Sequence, residues 1–136
     1  MKYAVIDVGS NTVRLCVYDV LCPEKRKFKT IMNRKIMAGL AAYIVDGAFS
    51  DEGIAEAILA VKKCIKRASY LSPDRIDVFA TAVLRNISNS AQAIAAIEQG
   101  AGCTISLLSN ADEAHLGFVG ASSRGTLDDG GLINIA

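Results

Sequence analysis

The first eighteen residues place the strongest constraint on what this 136-residue chain can fold into. Two apolar segments rich in β-branched residues, Tyr3 to Val8 and Val13 to Tyr18, are separated by only four residues, Gly-Ser-Asn-Thr. Segments of this kind are typical of buried strands, and so short a connection predicts an antiparallel hairpin. Because the tip is polar while both strands are apolar, we expect the chemistry of the chain at this tip.

The tip residues are of the types that bind phosphate. Gly9 has no Cβ and can adopt positive φ, so it lets the backbone turn sharply and approach an anion. Ser10, Asn11 and Thr12 add hydroxyl and amide donors. Successive backbone N–H groups in such a turn can also form an anion-binding concavity. The tip is therefore a candidate phosphate-binding loop.

Charged residues flank the tip on both strands. Asp7 precedes the glycine by two positions, and its carboxylate could hold a hard cation such as Mg²⁺ or the waters of that cation. Arg14 lies two residues into the second strand and offers a fork of donors for a phosphate. The residue types alone are also compatible with an ordinary hairpin, in which Asp7 caps a polar turn.

The string Asp-Val-Gly-Ser-Asn-Thr-Val-Arg-Leu, residues 7–15, resembles the first phosphate motif of the exopolyphosphatase/guanosine pentaphosphate phosphatase (Ppx/GppA) family. Hexokinases, actin and Hsp70-type ATPases share only its Asp-x-Gly part. The resemblance implies one half of an actin-like, ribonuclease-H-like fold, with a mixed five-stranded sheet flanked by helices. It also implies Mg²⁺-assisted hydrolysis of terminal phosphoanhydride bonds in polyphosphate or guanosine pentaphosphate (pppGpp), with Gly9 to Thr12 and Arg14 on the phosphate and Asp7 on the metal.

A second motif follows a predicted buried strand, Arg75 to Thr81. Ala80-Thr81-Ala82-Val83-Leu84-Arg85, with Asn89 four residues on, resembles the Ala-Thr-x-x-Leu-Arg-x-x-x-Asn motif of the same family. The resemblance implies that Arg85 lies at the mouth of the phosphate channel. A strand running into a helix here would place Arg85 at the carboxyl end of the sheet, where ligands of α/β folds gather. The alternative is a helix-start arginine paired with a local acid.

A third motif supplies a candidate catalytic base. Residues 110–117 resemble the Gly-x-Glu-Glu-Ala-Arg motif of the family, and the resemblance implies that Glu113 activates the attacking water. Asn110, Asp112 and His115 depart from the motif, which has glycine, glutamate and arginine at these positions. Whether Asp112 or Glu113 would be the base stays open. Two acids at the start of a helix would also stabilise its positive end.

The remaining segments predict a third antiparallel strand, then alternating helices and strands. Ser50 should cap a long helix whose apolar face is Ile54, Ile58, Val61 and Ile65. The other predicted elements are a strand within Lys25 to Met37, a loop from Met37 to Gly47, a helix over Ser90 to Gln99 ended by a left-handed glycine cap, and strands at Cys103 to Leu108 and Leu132 to Ala136. Either of the last two could complete the sheet.

Composition excludes several classes of protein. The net charge of +1 argues against a general nucleic-acid binder. The four irregularly spaced cysteines suggest free thiols in a reducing cytoplasm rather than disulfides or a zinc site. The apolar N-terminal segment has no basic region before it and is interrupted by Asp7, so we expect neither a signal peptide nor a membrane span.

We expect residues 1–136 to form one domain, the first half of a phosphatase that is cytoplasmic and could form a homodimer at full length. The second phosphate motif of the family would follow the last residues, so the chain alone should be weakly active or inactive. Two other functions stay open: half of an ATP-dependent kinase of the same superfamily, or a domain that keeps the fold without the chemistry.

Overall fold

The computed structural model describes residues 1–25 and 27–107. The strands are β1 (Lys2–Val8), β2 (Val13–Cys22), β3 (Lys27–Ile36), β4 (Ile44–Val45), β5 (Ala48–Phe49), β6 (Arg75–Ala80) and β7 (Ile105–Leu107). The α-helices are α1 (Asp51–Ser69), α2 (Ala82–Arg85) and α3 (Ser90–Ala101). Two short 3₁₀ helices cover Pro23–Lys25 and Leu40–Tyr43. The strand predicted at Leu132 to Ala136 lies outside the described residues.

Five strands form one mixed sheet in the order β3-β2-β1-β6-β7. Strands β1, β2 and β3 are an antiparallel meander, whereas β6 runs parallel to β1 and β7 parallel to β6. This sheet and its flanking helices confirm the predicted α/β fold class. The predicted hairpin, third strand and Arg75 strand are also confirmed, and β7 is the fifth strand of the described sheet.

The two faces of the sheet differ because side chains alternate along each strand. From Ala4 to the tip, one face of the β1–β2 hairpin is apolar and fully buried, and it belongs to one core with residues of α1 and α3. Its hairpin members are Ala4, Ile6, Val8, Val13, Leu15 and Val17. The opposite face carries Asp7, Arg14 and Cys16, so the charged residues next to the tip share one side.

Helix α1 begins as predicted, since the backbone N–H of Gly53 donates to Ser50 Oγ at 3.2 Å. The predicted apolar face packs on the core, although Val61 is its only fully buried member. Ile54, Ile58 and Ile65 are partly buried on its flanks. The fully buried positions are mostly small residues: Gly53, Ala57, Ala60, Cys64 and Ala68, with Val61. Small side chains let the helix lie close to the sheet.

Helix α3 ends as its sequence predicts, because Gly102 adopts the left-handed conformation with φ 71°. Among the described residues, no helix is both long and apolar enough to cross a bilayer. The four cysteines are free.

Residues 37–49 form more structure than the predicted loop. Leu40, in the 3₁₀ helix, is buried in the core. Strands β4 and β5, of two residues each, then form a short hairpin. Its turn residues Asp46 and Gly47 have φ 51° and 80°, as the turns that suit such hairpins require. We call residues 37–49 the bridge segment.

Gly53→Ala should destabilise the fold by about 1–3 kcal/mol, although alanine normally favours a helix by about 1 kcal/mol. A Cβ at Gly53 would lie 2.5 Å from Phe49 Cε1 and 2.6 Å from Tyr43 Cβ, so the bridge segment would have to move. Urea unfolding checks this. Ala55→Gly, at an exposed position of the same helix, measures helix propensity alone. A Gly53→Ala variant more stable than the parent would contradict the tight contact.

Candidate phosphate-binding site

The hairpin tip is held by its own backbone. Val8 and Val13 are the last paired residues, and the N–H of Gly9 donates to the carbonyl oxygen of Thr12 at 3.0 Å. Gly9 does not use the positive φ that the sequence suggested. The glycines with positive φ among the described residues are Gly39, Gly47 and Gly102. The N–H of Gly9 is thus engaged inside the turn.

The bridge segment orients the remaining tip peptides. The N–H groups of Gly39 and Ala41 donate to the carbonyl oxygens of Asn11 and Ser10, each at 2.9 Å. In a trans peptide the N–H points opposite to the carbonyl, so the N–H groups of Asn11 and Thr12 point away from the bridge segment. Within the described part of the chain, no hydrogen bond uses the N–H of Ser10, Asn11 or Thr12. Three successive donors are therefore available to a ligand.

Asp7 and Arg14 lie directly opposite each other on β1 and β2. Asp7 is buried, with 8% of its surface exposed, and Arg14 is half-buried. Despite this register, Arg14 forms no ion pair or side-chain hydrogen bond with any described residue. Its guanidinium donors can therefore bind an anion beside the tip.

The pKa of the Cys16 thiol depends on the charged residues of this face. Burial raises the pKa of this thiol, while Tyr18 and the Arg14 guanidinium lower it and Asp7 raises it further. The thiol thus responds to both charged residues at the hairpin end. A neutral thiol at neutral pH adds no charge to the site.

The second predicted motif meets the tip at the same edge of the sheet. Strand β6 pairs in parallel with β1, and Ala80 is the partner of Val8, so both strands end together. The chain then continues through buried Thr81 into α2, whose last residue is Arg85. Arg85 is half-buried and, as predicted, follows the carboxyl end of its strand.

Asn89 has a role that the sequence motif alone did not reveal. Its Oδ1 accepts from the N–H of Phe49 at 2.9 Å, and its Nδ2 donates to the carbonyl of Phe49 at 3.0 Å. The neighbouring N–H of Ser88 donates to Gly47 at 2.8 Å. The bridge segment thus connects the loop after Arg85 with the hairpin tip. In the sequence, the Asp-Gly pair at residues 46–47 is the feature that could have predicted the β4–β5 hairpin of the bridge segment.

The donors near the tip suit a magnesium ion that keeps most of its waters. Asp7 offers a carboxylate, and Ser10 and Thr12 offer hydroxyl oxygens on the adjoining turn. Mg²⁺ is often bound by one or two carboxylates together with water and substrate phosphates. The described residues contain no group of three His, Cys, Asp or Glu side chains arranged to hold a metal. Asp7 is the carboxylate that the paired strands place next to the tip.

The candidate base Glu113 lies outside the described residues, as do Asp112 and His115. Glu113 therefore stays a prediction from the sequence.

Residues 21–135, most of the chain, match the model of the Ppx/GppA phosphatase family. The chain belongs to this family. The second and third motifs fall inside the matched range, while the hairpin tip precedes it.

Solved structures of Ppx/GppA proteins share the fold. A Ppx/GppA phosphatase from Aquifex aeolicus superposes with a TM-score of 0.80 at 21% identity, over 90% of this chain and 40% of that one. An exopolyphosphatase from Cytophaga hutchinsonii superposes with a TM-score of 0.79 at 25% identity, over 89% of this chain and 38% of that one. The chain therefore spans about two fifths of the length of these Ppx/GppA structures.

A more distant likeness extends to another protein. RuvC from T. thermophilus, solved with a Holliday junction substrate, gives a TM-score of 0.53 at 15% identity, over 100% of this chain and 90% of that one. This likeness concerns the fold alone, and it agrees with the ribonuclease-H-like architecture expected from the sequence.

Asn89→Ala should lower the free energy of unfolding by about 1–3 kcal/mol, because it leaves the N–H and carbonyl of buried Phe49 without partners. Chemical denaturation measures the change. Ser88→Ala is the matched control, because the bond from Ser88 uses its backbone and its side chain is exposed. Equal stabilities of the two variants would show that the Asn89 bonds contribute nothing.

Proposed function

We propose that the site hydrolyses terminal phosphoanhydride bonds, with Mg²⁺, and releases phosphate from polyphosphate or guanosine pentaphosphate. The observation that carries this proposal is the set of three available N–H groups at Ser10, Asn11 and Thr12, beside Arg14. Backbone N–H groups in succession form concavities for anions, and a guanidinium adds a charge-assisted fork. Membership of the Ppx/GppA phosphatase family supports the same chemistry.

The transferring phosphoryl group would be held from two sides. The tip donors and Arg14 bind its oxygens from the β1–β2 side, and Arg85 binds from the end of α2. Donors fixed before the reaction stabilise charge that spreads over these oxygens in the transition state. The bridge segment contributes indirectly, since its hydrogen bonds to Ser10 and Asn11 fix the direction of the tip peptides.

Asp7 would hold the metal ion through its carboxylate or through water. Bound Mg²⁺ would neutralise negative charge on the substrate phosphates. Asp7 and Arg14 face each other across the hairpin. One would hold the cation and the other the phosphate, at the same end of the sheet. Glu113 would orient and deprotonate the attacking water.

The test is phosphate release from long-chain polyphosphate and from guanosine pentaphosphate, with Mg²⁺, by the protein at its full natural length. Glu113→Gln should lower kcat by about 10²–10⁴, the usual contribution of a general base. Arg14→Gln should lower kcat/KM by about 10²–10³. Asp112→Asn is the matched control for the base: a loss larger than that of Glu113→Gln would assign the role to Asp112. The substrate with the higher kcat/KM is the one that the enzyme prefers.

Failure to cleave either substrate would overturn the phosphatase proposal. ATP-dependent phosphorylation of a small acceptor would then favour the kinase half of the same superfamily. Absence of both activities would favour a domain that keeps the fold without the chemistry.

The 136-residue chain alone should release phosphate much more slowly than a polypeptide that also contains the second half of the site. The reason is that the chain covers 38–40% of the Aquifex aeolicus and Cytophaga hutchinsonii structures. Phosphate release by the two polypeptides at equal concentration makes the comparison. Equal rates would show that residues 1–136 contain a complete site.

A further inference from the structure

Three neighbouring strands carry a charged residue at the same level of the sheet. The register pairs Asp7 of β1 with Arg14 of β2, and Arg14 with Lys35 of β3. Directly opposed residues of antiparallel strands lie on the same face, with Cβ atoms about 4.5–5.5 Å apart. The three side chains therefore form a row, which we call the charged row. Its order is acid, cation, cation.

The second half of the charged row is unfavourable in the protein alone, since like charges directly opposite each other destabilise a sheet. Elsewhere on the same two strands the register brings opposite charges together, at Asp19 and Lys29. Among the described residues, neither Arg14 nor Lys35 forms an ion pair or a side-chain hydrogen bond. An anion bound between the two cations would remove their repulsion.

Protection of the sheet edge explains why β3 carries exposed cations, but it does not explain why one of them lies beside Arg14. Strand β3 is an edge strand, and exposed cations on such strands discourage pairing with other chains. Arg34 and Lys35 are both exposed and serve this purpose equally. Arg34, however, pairs with Leu15 and lies on the opposite face. Edge protection therefore does not require a cation beside Arg14.

We infer that Lys35 binds the phosphate next to the one that is hydrolysed, and so selects condensed phosphates over a single phosphate. This inference rests on the proposed function. Lys35 is one strand, roughly 5 Å, farther from Asp7 than Arg14 is. If Arg14 contacts the terminal phosphate near the metal, Lys35 contacts the next group along the substrate. It is a specificity residue on a strand to which neither the motifs nor the family resemblance assigned a role.

The test is equilibrium binding of orthophosphate and of tripolyphosphate to the 136-residue chain with Mg²⁺, by isothermal titration calorimetry. Lys35→Gln should weaken tripolyphosphate binding roughly two- to fivefold, the size of one exposed charge contact. Its effect on orthophosphate should be less than about twofold, because orthophosphate has no second phosphate for Lys35 to hold. Arg34→Gln removes the same charge from the other face and should change neither affinity by more than about twofold.

Arg14→Gln separates the two proposals. If Arg14→Gln weakens binding of both ligands while Lys35→Gln weakens binding of neither, the phosphate site stands and the inference about Lys35 is overturned. The inference is also overturned if Lys35→Gln and Arg34→Gln lower the affinity for tripolyphosphate equally, or if Lys35→Gln lowers the affinities for the two ligands equally. If the parent chain binds neither ligand, the phosphate site and the role of Lys35 fail together.

Discussion

The pairing of β1 on both of its edges is the constraint on which the rest of the structure depends. Val8 is paired with Val13 on one side and with Ala80 on the other, one strand antiparallel and one parallel. Parallel strands end at the same edge of a sheet, so this arrangement brings the hairpin tip and the start of α2 together. Two segments about seventy residues apart in the sequence thereby contribute to one site.

The bridge segment gives this edge a second connection that does not pass through the sheet. Its first part donates to the tip carbonyls of Ser10 and Asn11, and its end is held by Asn89. Gly53 lets α1 pack closely against the same segment. The direction of the tip peptides therefore depends on the packing of α1 and on the hydrogen bonds of Asn89.

The sequence predicted most of the fold because its signals are local. Periodicity set the hairpin, the third strand and β6, and Ser50 and Gly102 marked helix ends. It did not show how deeply neighbouring positions are buried, as on α1, whose small residues are buried more deeply than its isoleucines. The bonds from Gly39 and Ala41 to the tip join backbone groups, which carry no residue-specific signal, and the register that places Lys35 beside Arg14 is a tertiary property.

The hairpin end breaks local rules of sheet stability at two adjacent points. Its tip directs three backbone donors to no protein acceptor among the described residues, and a pair of like charges faces across β2 and β3. Farther along β2 and β3 the register instead pairs opposite charges, at Asp19 and Lys29. Natural proteins usually break such rules at functional sites, where a ligand supplies the missing partner. An anion with more than one phosphate would satisfy both departures at once, since it has oxygens for the tip donors and charge for the two cations.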